Sequence, residues 1–192
     1  MTILYSNGCS YTGHFGLPRD FRYPILLSDR LGWSCEDRAE PGSCNSRIIR
    51  NTVVDCIKLR SQSDEKIFAM IQLSHLFRFE YPDDTNPIED PFYSVKPGVS
   101  FDEYRPDASK EARQYATLYW KLHNEHQVLI NLLTGLVGLS GFFNQNNIDY
   151  LIYLGPNDML LLKDFTYQDD IRFSYLKKDP GILDLDKFYM LD

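Results

Sequence analysis

Hydrophobic and polar positions along the chain form blocks that predict strands and helices in alternation. Nearly continuous apolar runs, as at residues 67–73 and 148–154, are typical of strands covered on both faces of a sheet. Residues 25–31 and 46–59 instead carry apolar side chains at helical spacing. Strands are predicted at residues 3–7, 33–39, 67–73 and 148–154. The repeated order of strand, loop and helix predicts a doubly wound α/β fold with a mainly parallel sheet.

The regular pattern stops after the third predicted strand. Residues 79–107 hold five prolines together with several acidic and aromatic side chains, which predicts a long irregular insertion. Helical spacing returns at residues 108–142 and predicts one long helix, kinked around Gly135 and Gly138. A chain of 192 residues is large enough to bury one core, so we expect residues 1–192 to form a single α/β domain.

Composition and charge narrow the classes of function. The net charge of −7 argues against nucleic acid as a partner, because phosphates require clustered Lys and Arg. No stretch reaches the roughly 20 apolar residues of a membrane span, and the N-terminus lacks the pattern of a secretory signal. We therefore expect a cytoplasmic protein without a membrane span.

Cofactor and metal motifs are also missing from the sequence. The four cysteines show no Cys-x-x-Cys spacing, so no metal site is predicted. Neither Gly-x-x-x-x-Gly-Lys nor Gly-x-Gly-x-x-Gly occurs, which argues against a nucleotide-binding module. The prediction is a protein that uses its own side chains and no cofactor.

Small polar residues follow the first predicted strand, and they include Ser10. Open α/β sheets place reactive groups at the carboxyl ends of their strands, so the Ser10 hydroxyl is expected to face a crevice. A serine hydroxyl needs a base to become a nucleophile, and the oxyanion that it generates needs fixed hydrogen-bond donors. The alternative is that Ser10 only caps a helix in an ordinary turn.

Two short motifs resemble the SGNH/GDSL hydrolases. Gly8-Cys9-Ser10-Tyr11-Thr12 is similar to the first block of that family, and Pro41-Gly42-Ser43-Cys44-Asn45 is similar to the second, so that together they cover roughly the first 60 residues. The resemblance implies a three-layer sandwich with flavodoxin-like winding. It implies Ser10 as nucleophile, with the backbone N–H groups of Ser10 and Gly42 in the oxyanion hole, and makes Asn45 a further candidate. The implied reaction is ester hydrolysis through a serine ester, on a small molecule such as an acylated carbohydrate or lipid.

The chain departs from the family pattern at the first and third blocks. Cys9 replaces the usual Asp, either as a small buried thiol or as a nucleophile itself. After the third strand, Ser74 or His75 would take the place of the family's Gly-x-Asn-Asp block. Arg78 would then bind an anionic group of the substrate or pair with Glu80.

A literal Gly-Pro-Asn-Asp occurs later, and its Asn157 either faces the site or forms a turn. The family's Asp-x-x-His near the C-terminus is not found, because no histidine follows His126. His75 or His14 would have to supply the base, and His75 is the residue we predict, whereas His123 and His126 are expected to face solvent. Two alternatives are a shortened chain and a relative that binds a ligand or protein without catalysis.

Overall fold

The computed structural model describes residues 1–13, 16–82, 92–95, 109–154 and 188–190. The strands are β1 (Thr2–Asn7), β2 (Ser34–Asp37), β3 (Lys66–Leu73), β4 (Phe79–Pro82), β5 (Phe92–Val95), β6 (Asp149–Leu154) and β7 (Phe188–Met190). The helices are α1 (Ser10–Gly13), α2 (Tyr23–Leu31), α3 (Asn45–Gln62), α4 (Lys110–Leu122) and α5 (Glu125–Gln145). A 3₁₀ turn, Arg19–Phe21, precedes α2.

Five strands form one sheet in the order β2-β1-β3-β6-β7, and every pairing in it is parallel. This order is the flavodoxin-like winding, so the predicted α/β class with a mainly parallel sheet is confirmed. Asn7 at the end of β1 lies opposite Ile71 near the end of β3. The loops that follow β1, β2 and β3 therefore leave the sheet at one edge.

Helices cover both faces of this sheet. On one face, Ile71 and Ile152 of the strands pack against Ile48 of α3 and Leu136 of α5. On the other face, Leu4, Met70 and Tyr153 pack with Tyr23 at the start of α2. Successive strand residues point to opposite faces, which explains why these strands read as nearly unbroken apolar runs.

Helix α5 is long and apolar enough to cross a membrane by length and composition, over His126–Gln145 with a mean hydropathy of 1.4. Its buried face, however, contributes Leu129, Leu136 and Phe143 to the core beside the sheet. This packing is typical of the crossover helix of an α/β domain. We therefore interpret α5 as a core helix.

The predicted single helix over residues 108–142 is wrong. The chain forms two helices that are separated at His123 and Asn124, and α5 continues as a helix through Gly135 and Gly138. The Asn124 side chain accepts a hydrogen bond from Gln127 N, 3.2 Å away, and so caps the second helix. The apolar spacing on both sides of this cap hid the break.

Within the predicted insertion, β4 and β5 form a separate antiparallel pair, with Tyr81 opposite Tyr93. Strands of four residues are too short to produce a clear alternation, which is why they were not predicted from the sequence. The division of the chain into domains stays a prediction.

Candidate functional site

The turn after β1 is fixed by a buried asparagine. Asn7 Oδ1 accepts a hydrogen bond from Gly8 N (2.8 Å), and its Nδ2 donates to the Ile48 carbonyl in α3 (3.2 Å). Gly8 has no room for a side chain, because a Cβ there would lie 2.6 Å from Thr12 Oγ1 and 2.8 Å from Gln72 Cβ. The sequence therefore folds locally into one defined turn, held between the sheet and α3.

Ser10 is the first residue of α1 and is partly exposed. Within the described part of the chain, its hydroxyl makes no hydrogen bond. The backbone N–H groups of Thr12 and Gly13 donate instead to the Cys9 carbonyl, at 3.0 and 2.8 Å. Ser10 thus does not act as a helix cap here, and its hydroxyl is available for other chemistry.

Cys9 points into the protein and is completely buried. Its Sγ donates to Gln72 Oε1 at 3.6 Å, and the same oxygen accepts a hydrogen bond of 2.7 Å from Thr12 Oγ1. A thiol acts as a nucleophile only where it is accessible and ionised. The geometry therefore favours the interpretation of Cys9 as a small buried thiol.

The second small-residue turn lies directly against the Ser10 turn. Glu40 N donates to the Gly8 carbonyl at 3.2 Å, and a Cβ on Gly13 would lie 2.9 Å from the Ala39 carbonyl oxygen. Gly42 is buried and has a φ of 92°, a backbone conformation that other residues rarely adopt. The first block that resembles the hydrolase family is thus in contact with the residues that directly precede the second block.

Asn45 joins the start of α3 to the end of β3. Its Oδ1 accepts from Ser74 N (2.7 Å), and its Nδ2 donates to the Ser74 carbonyl oxygen (3.1 Å). Both residues are buried, so water cannot replace these hydrogen bonds without opening the structure. The amide of Asn45 is occupied by the backbone that it holds.

Arg78 makes a second link between the same segments. Its Nη1 donates to Ser74 Oγ (2.7 Å) and to the Ser43 carbonyl oxygen (3.2 Å). Glu80 pairs with Arg50 instead, and no carboxylate of the described residues forms a salt bridge with Arg78. The expected alternative of an Arg78–Glu80 pair is therefore not what the structure shows.

The histidines that could act as the catalytic base lie in different parts of the chain. His75 directly follows Ser74 at the edge of the sheet and is partly exposed, but its ring makes no hydrogen bond to the Ser10 hydroxyl. His123 lies at the end of α4, where its Nδ1 is 2.9 Å from the Trp120 carbonyl oxygen. His14 lies outside the described residues, and so does Asn157.

The structure thus gathers Ser10, Gly42, Asn45, Ser74, His75 and Arg78 on segments that meet at one edge of the sheet. It does not join His75 to Ser10. No group of three or more potential metal ligands occurs among the described residues.

Sequence reasoning missed the polar residues beneath the Ser10 turn. Tyr153 is one of them, and its hydroxyl lies 3.3 Å from Thr12 Oγ1, while burial raises its pKa to about 12. Burial also raises the pKa of Tyr5 well above its usual range, and the Tyr5 hydroxyl donates to Asp55 (3.0 Å). The signal was Gln72 within an apolar run, since a polar residue in a buried strand must find a hydrogen-bond partner.

Solved structures similar to this chain include two esterase-related proteins. One is the psychrotrophic esterase EstA from a Pseudoalteromonas species, in a structure inhibited by monoethylphosphonate, with 14% identity and a TM-score of 0.47 over 99% of this chain and 76% of that one. The other is a member of the lipolytic protein G-D-S-L family from Veillonella parvula, with 9% identity and a TM-score of 0.46 over 100% and 78%. The sequence matches no protein-family model and no curated protein. These likenesses do not identify the activity of this chain.

Proposed function

We propose that this chain is an ester hydrolase of the SGNH type, in which Ser10 is acylated and then freed by water. The observation that carries the proposal is the Ser10 hydroxyl, which has no hydrogen-bond partner among the described residues. The turn that contains Ser10 contacts the turn that contains Gly42, through the hydrogen bond from Glu40 N to the Gly8 carbonyl oxygen. A structural serine in a folded turn normally bonds to nearby backbone, as Ser43 does to the Glu40 carbonyl oxygen at 2.8 Å. Ser10 is accordingly a candidate nucleophile.

The proposed reaction proceeds in two acyl transfers. Ser10 Oγ attacks the ester carbonyl carbon, and His75 takes the proton of the hydroxyl. Backbone N–H groups of Ser10 and Gly42 stabilise the negative charge on the carbonyl oxygen. The alcohol then leaves with the proton from His75. In the second transfer His75 takes a proton from water, and the water oxygen attacks the acyl carbon. The bond between this carbon and Ser10 Oγ then breaks, His75 returns the proton to Ser10 Oγ, and the acid leaves.

This mechanism requires His75 to approach Ser10 when substrate binds. Catalytic hydrogen bonds are often long in a ligand-free enzyme and shorten in the complex. The neighbouring backbone is held in place, because Asn45 bonds both polar groups of the Ser74 peptide backbone. We therefore assign Asn45 and Ser74 to positioning of the loop rather than to direct contact with the oxyanion.

The proposal is tested by labelling with a fluorophosphonate probe and by hydrolysis of 4-nitrophenyl butyrate. Ser10→Ala should abolish labelling and lower kcat/KM roughly a thousandfold or more, with the fold intact by circular dichroism. Ser61→Ala is the matched control, because Ser61 is exposed near the end of α3 and its hydroxyl donates a hydrogen bond to the Lys58 carbonyl oxygen of its own helix. If labelling survives in Ser10→Ala, the nucleophile is wrongly assigned.

His75→Ala tests the base separately. It should lower kcat strongly while His123→Ala, at the exposed end of α4, leaves kcat unchanged. Equal activity of His75→Ala and the unmodified chain would exclude His75 as the base. A folded protein that is neither labelled nor active would contradict the hydrolase proposal and favour the alternative of a binding protein.

A further inference from the structure

A cavity of about 490 Å³ lies beside the candidate site, between the start of α3, residues 76–80 and α5. It shares Asn45 and Arg78 with the site. Part of its wall is apolar and comes from Ile49, Phe79 and Leu132. Its size is within the range of cavities that hold small molecules.

The charges of the residues that line this cavity do not sum to zero. Arg50 forms a salt bridge with Glu80, and both line the cavity. Arg78 is the remaining charged residue of the described lining, and it has no carboxylate partner among the residues that the structure describes. The described wall therefore carries one net positive charge, although the whole chain has a net charge of −7.

The guanidinium group of Arg78 is held in place by hydrogen bonds, but not all of its N–H donors are used by the described residues. Its Nη1 donates to the Ser43 carbonyl oxygen and to Ser74 Oγ, and its buried Nε has no hydrogen-bond partner among the described residues. Its Nη2 makes no hydrogen bond with the described residues and is not fully buried. An arginine is costly to bury without an anion, and its planar donors suit a carboxylate.

We propose that this cavity binds the part of the substrate that carries an anionic group on an apolar body, with a carboxylate on Arg78. The hydrocarbon lies against the apolar wall. That the substrate is an ester rests on the proposed function, whereas the binding of an anion at Arg78 does not. The neighbouring ion pair keeps Glu80 from repelling the carboxylate, because Arg50 neutralises it.

Two esters of equal acyl length test selectivity: the mono-4-nitrophenyl ester of suberic acid and 4-nitrophenyl octanoate. The unmodified chain should show the higher kcat/KM with the suberate ester. Arg78→Gln should lower the ratio of the two kcat/KM values about tenfold, since a hydrogen-bonded charge is lost. Arg38→Gln is the control, because Arg38 is exposed and its one ion pair with a described residue is with Glu36. A purely structural role of Arg78 would lower both rates together and leave the ratio unchanged.

Binding of octanoate, compared with 1-octanol by calorimetry, tests the anion site without turnover. Octanoate should bind more tightly than 1-octanol, and this difference should be lost in Arg78→Gln. Such a result supports the anion site even if the protein hydrolyses no ester. The absence of hydrolysis would refute only the proposed function. If Arg78→Gln does not fold, Arg78→Lys replaces it and should weaken octanoate binding severalfold, because one ammonium replaces the planar donors. Equal binding of octanoate and 1-octanol, or an unchanged ratio in the variants, would overturn the inference.

Discussion

The hydrogen bonds between Asn45 and Ser74 allow a sharp test of how the site is held together. Asn45→Ala removes the acceptor of Ser74 N and the donor to the Ser74 carbonyl oxygen in one step. Ser74 is 0% exposed, so no water reaches the two groups that lose their partners. The variant therefore converts two satisfied backbone groups into buried unsatisfied ones.

The expected loss is large for a single substitution. Each buried polar group left without a partner costs about 1–3 kcal/mol, so the variant, which leaves two, should lose about 2–6 kcal/mol of its free energy of unfolding. Small proteins have about 5–15 kcal/mol in total. For a chain of this size, each kcal/mol lowers Tm by about 2–4 °C, so Tm should fall by about 4–24 °C.

The assay is urea denaturation followed by circular dichroism, with a thermal melt beside it. Asn144→Ala is the matched control, because Asn144 is exposed near the end of α5, and it should change stability by at most about 0.5 kcal/mol. If Asn45→Ala unfolds within 0.5 kcal/mol of the unmodified chain, the two hydrogen bonds do not hold the loop. The assignment of Asn45 as a positioning residue would then be wrong.

Two further predictions concern the glycines and the buried tyrosine. Gly8→Ala should destabilise the fold by about 1–3 kcal/mol in urea, because its Cβ would overlap Thr12 and Gln72. A Cβ on Gly138, inside a helix, meets none of the described residues within 4 Å, so Gly138→Ala should stabilise the fold by about 0.4–1 kcal/mol; similar effects of the two substitutions would refute the packing argument. The pKa of Tyr153 is raised from 10.0 to about 12 in the folded protein, so the unfolded chain loses this proton at lower pH than the folded protein does. The contribution of Tyr153 to the free energy of unfolding is therefore complete below pH 10 and is lost as pH rises from 10 to 12. Tyr153→Phe should therefore make the fall in stability over that pH range less steep, and an unchanged slope would contradict the assignment.

The sequence predicts the centre of the fold better than its periphery. Ile71 and Ile152 lie on strands covered from both sides, so their apolar runs are long and clear. The three residues Phe188–Met190 of β7 add a strand that pairs beside β6 but are too few to show a period. Asn124 was hidden because apolar spacing resumes immediately after the break that it caps.

Part of the candidate site can likewise be predicted from neighbouring residues in the sequence, and the rest depends on contacts between residues that are far apart in the sequence. Ser10 and Gly42 are visible as short motifs, because turn residues depend on neighbours in sequence. The contact of Asn45 with Ser74, and of Arg78 with Ser43, depends on how α3 is placed against β3. Such pairs are set by packing and register, which no single stretch of sequence encodes.

The order of the strands has a consequence for synthesis of the protein. The described residues of the candidate site all lie between β1 and Arg78, so they are made before β6. Until β6 pairs through residues such as Ile152 with Ile71, one side of β3 is an open edge with free backbone donors and acceptors. A nascent chain that pauses at this length could assemble the site early, yet it would present an apolar strand edge that favours aggregation.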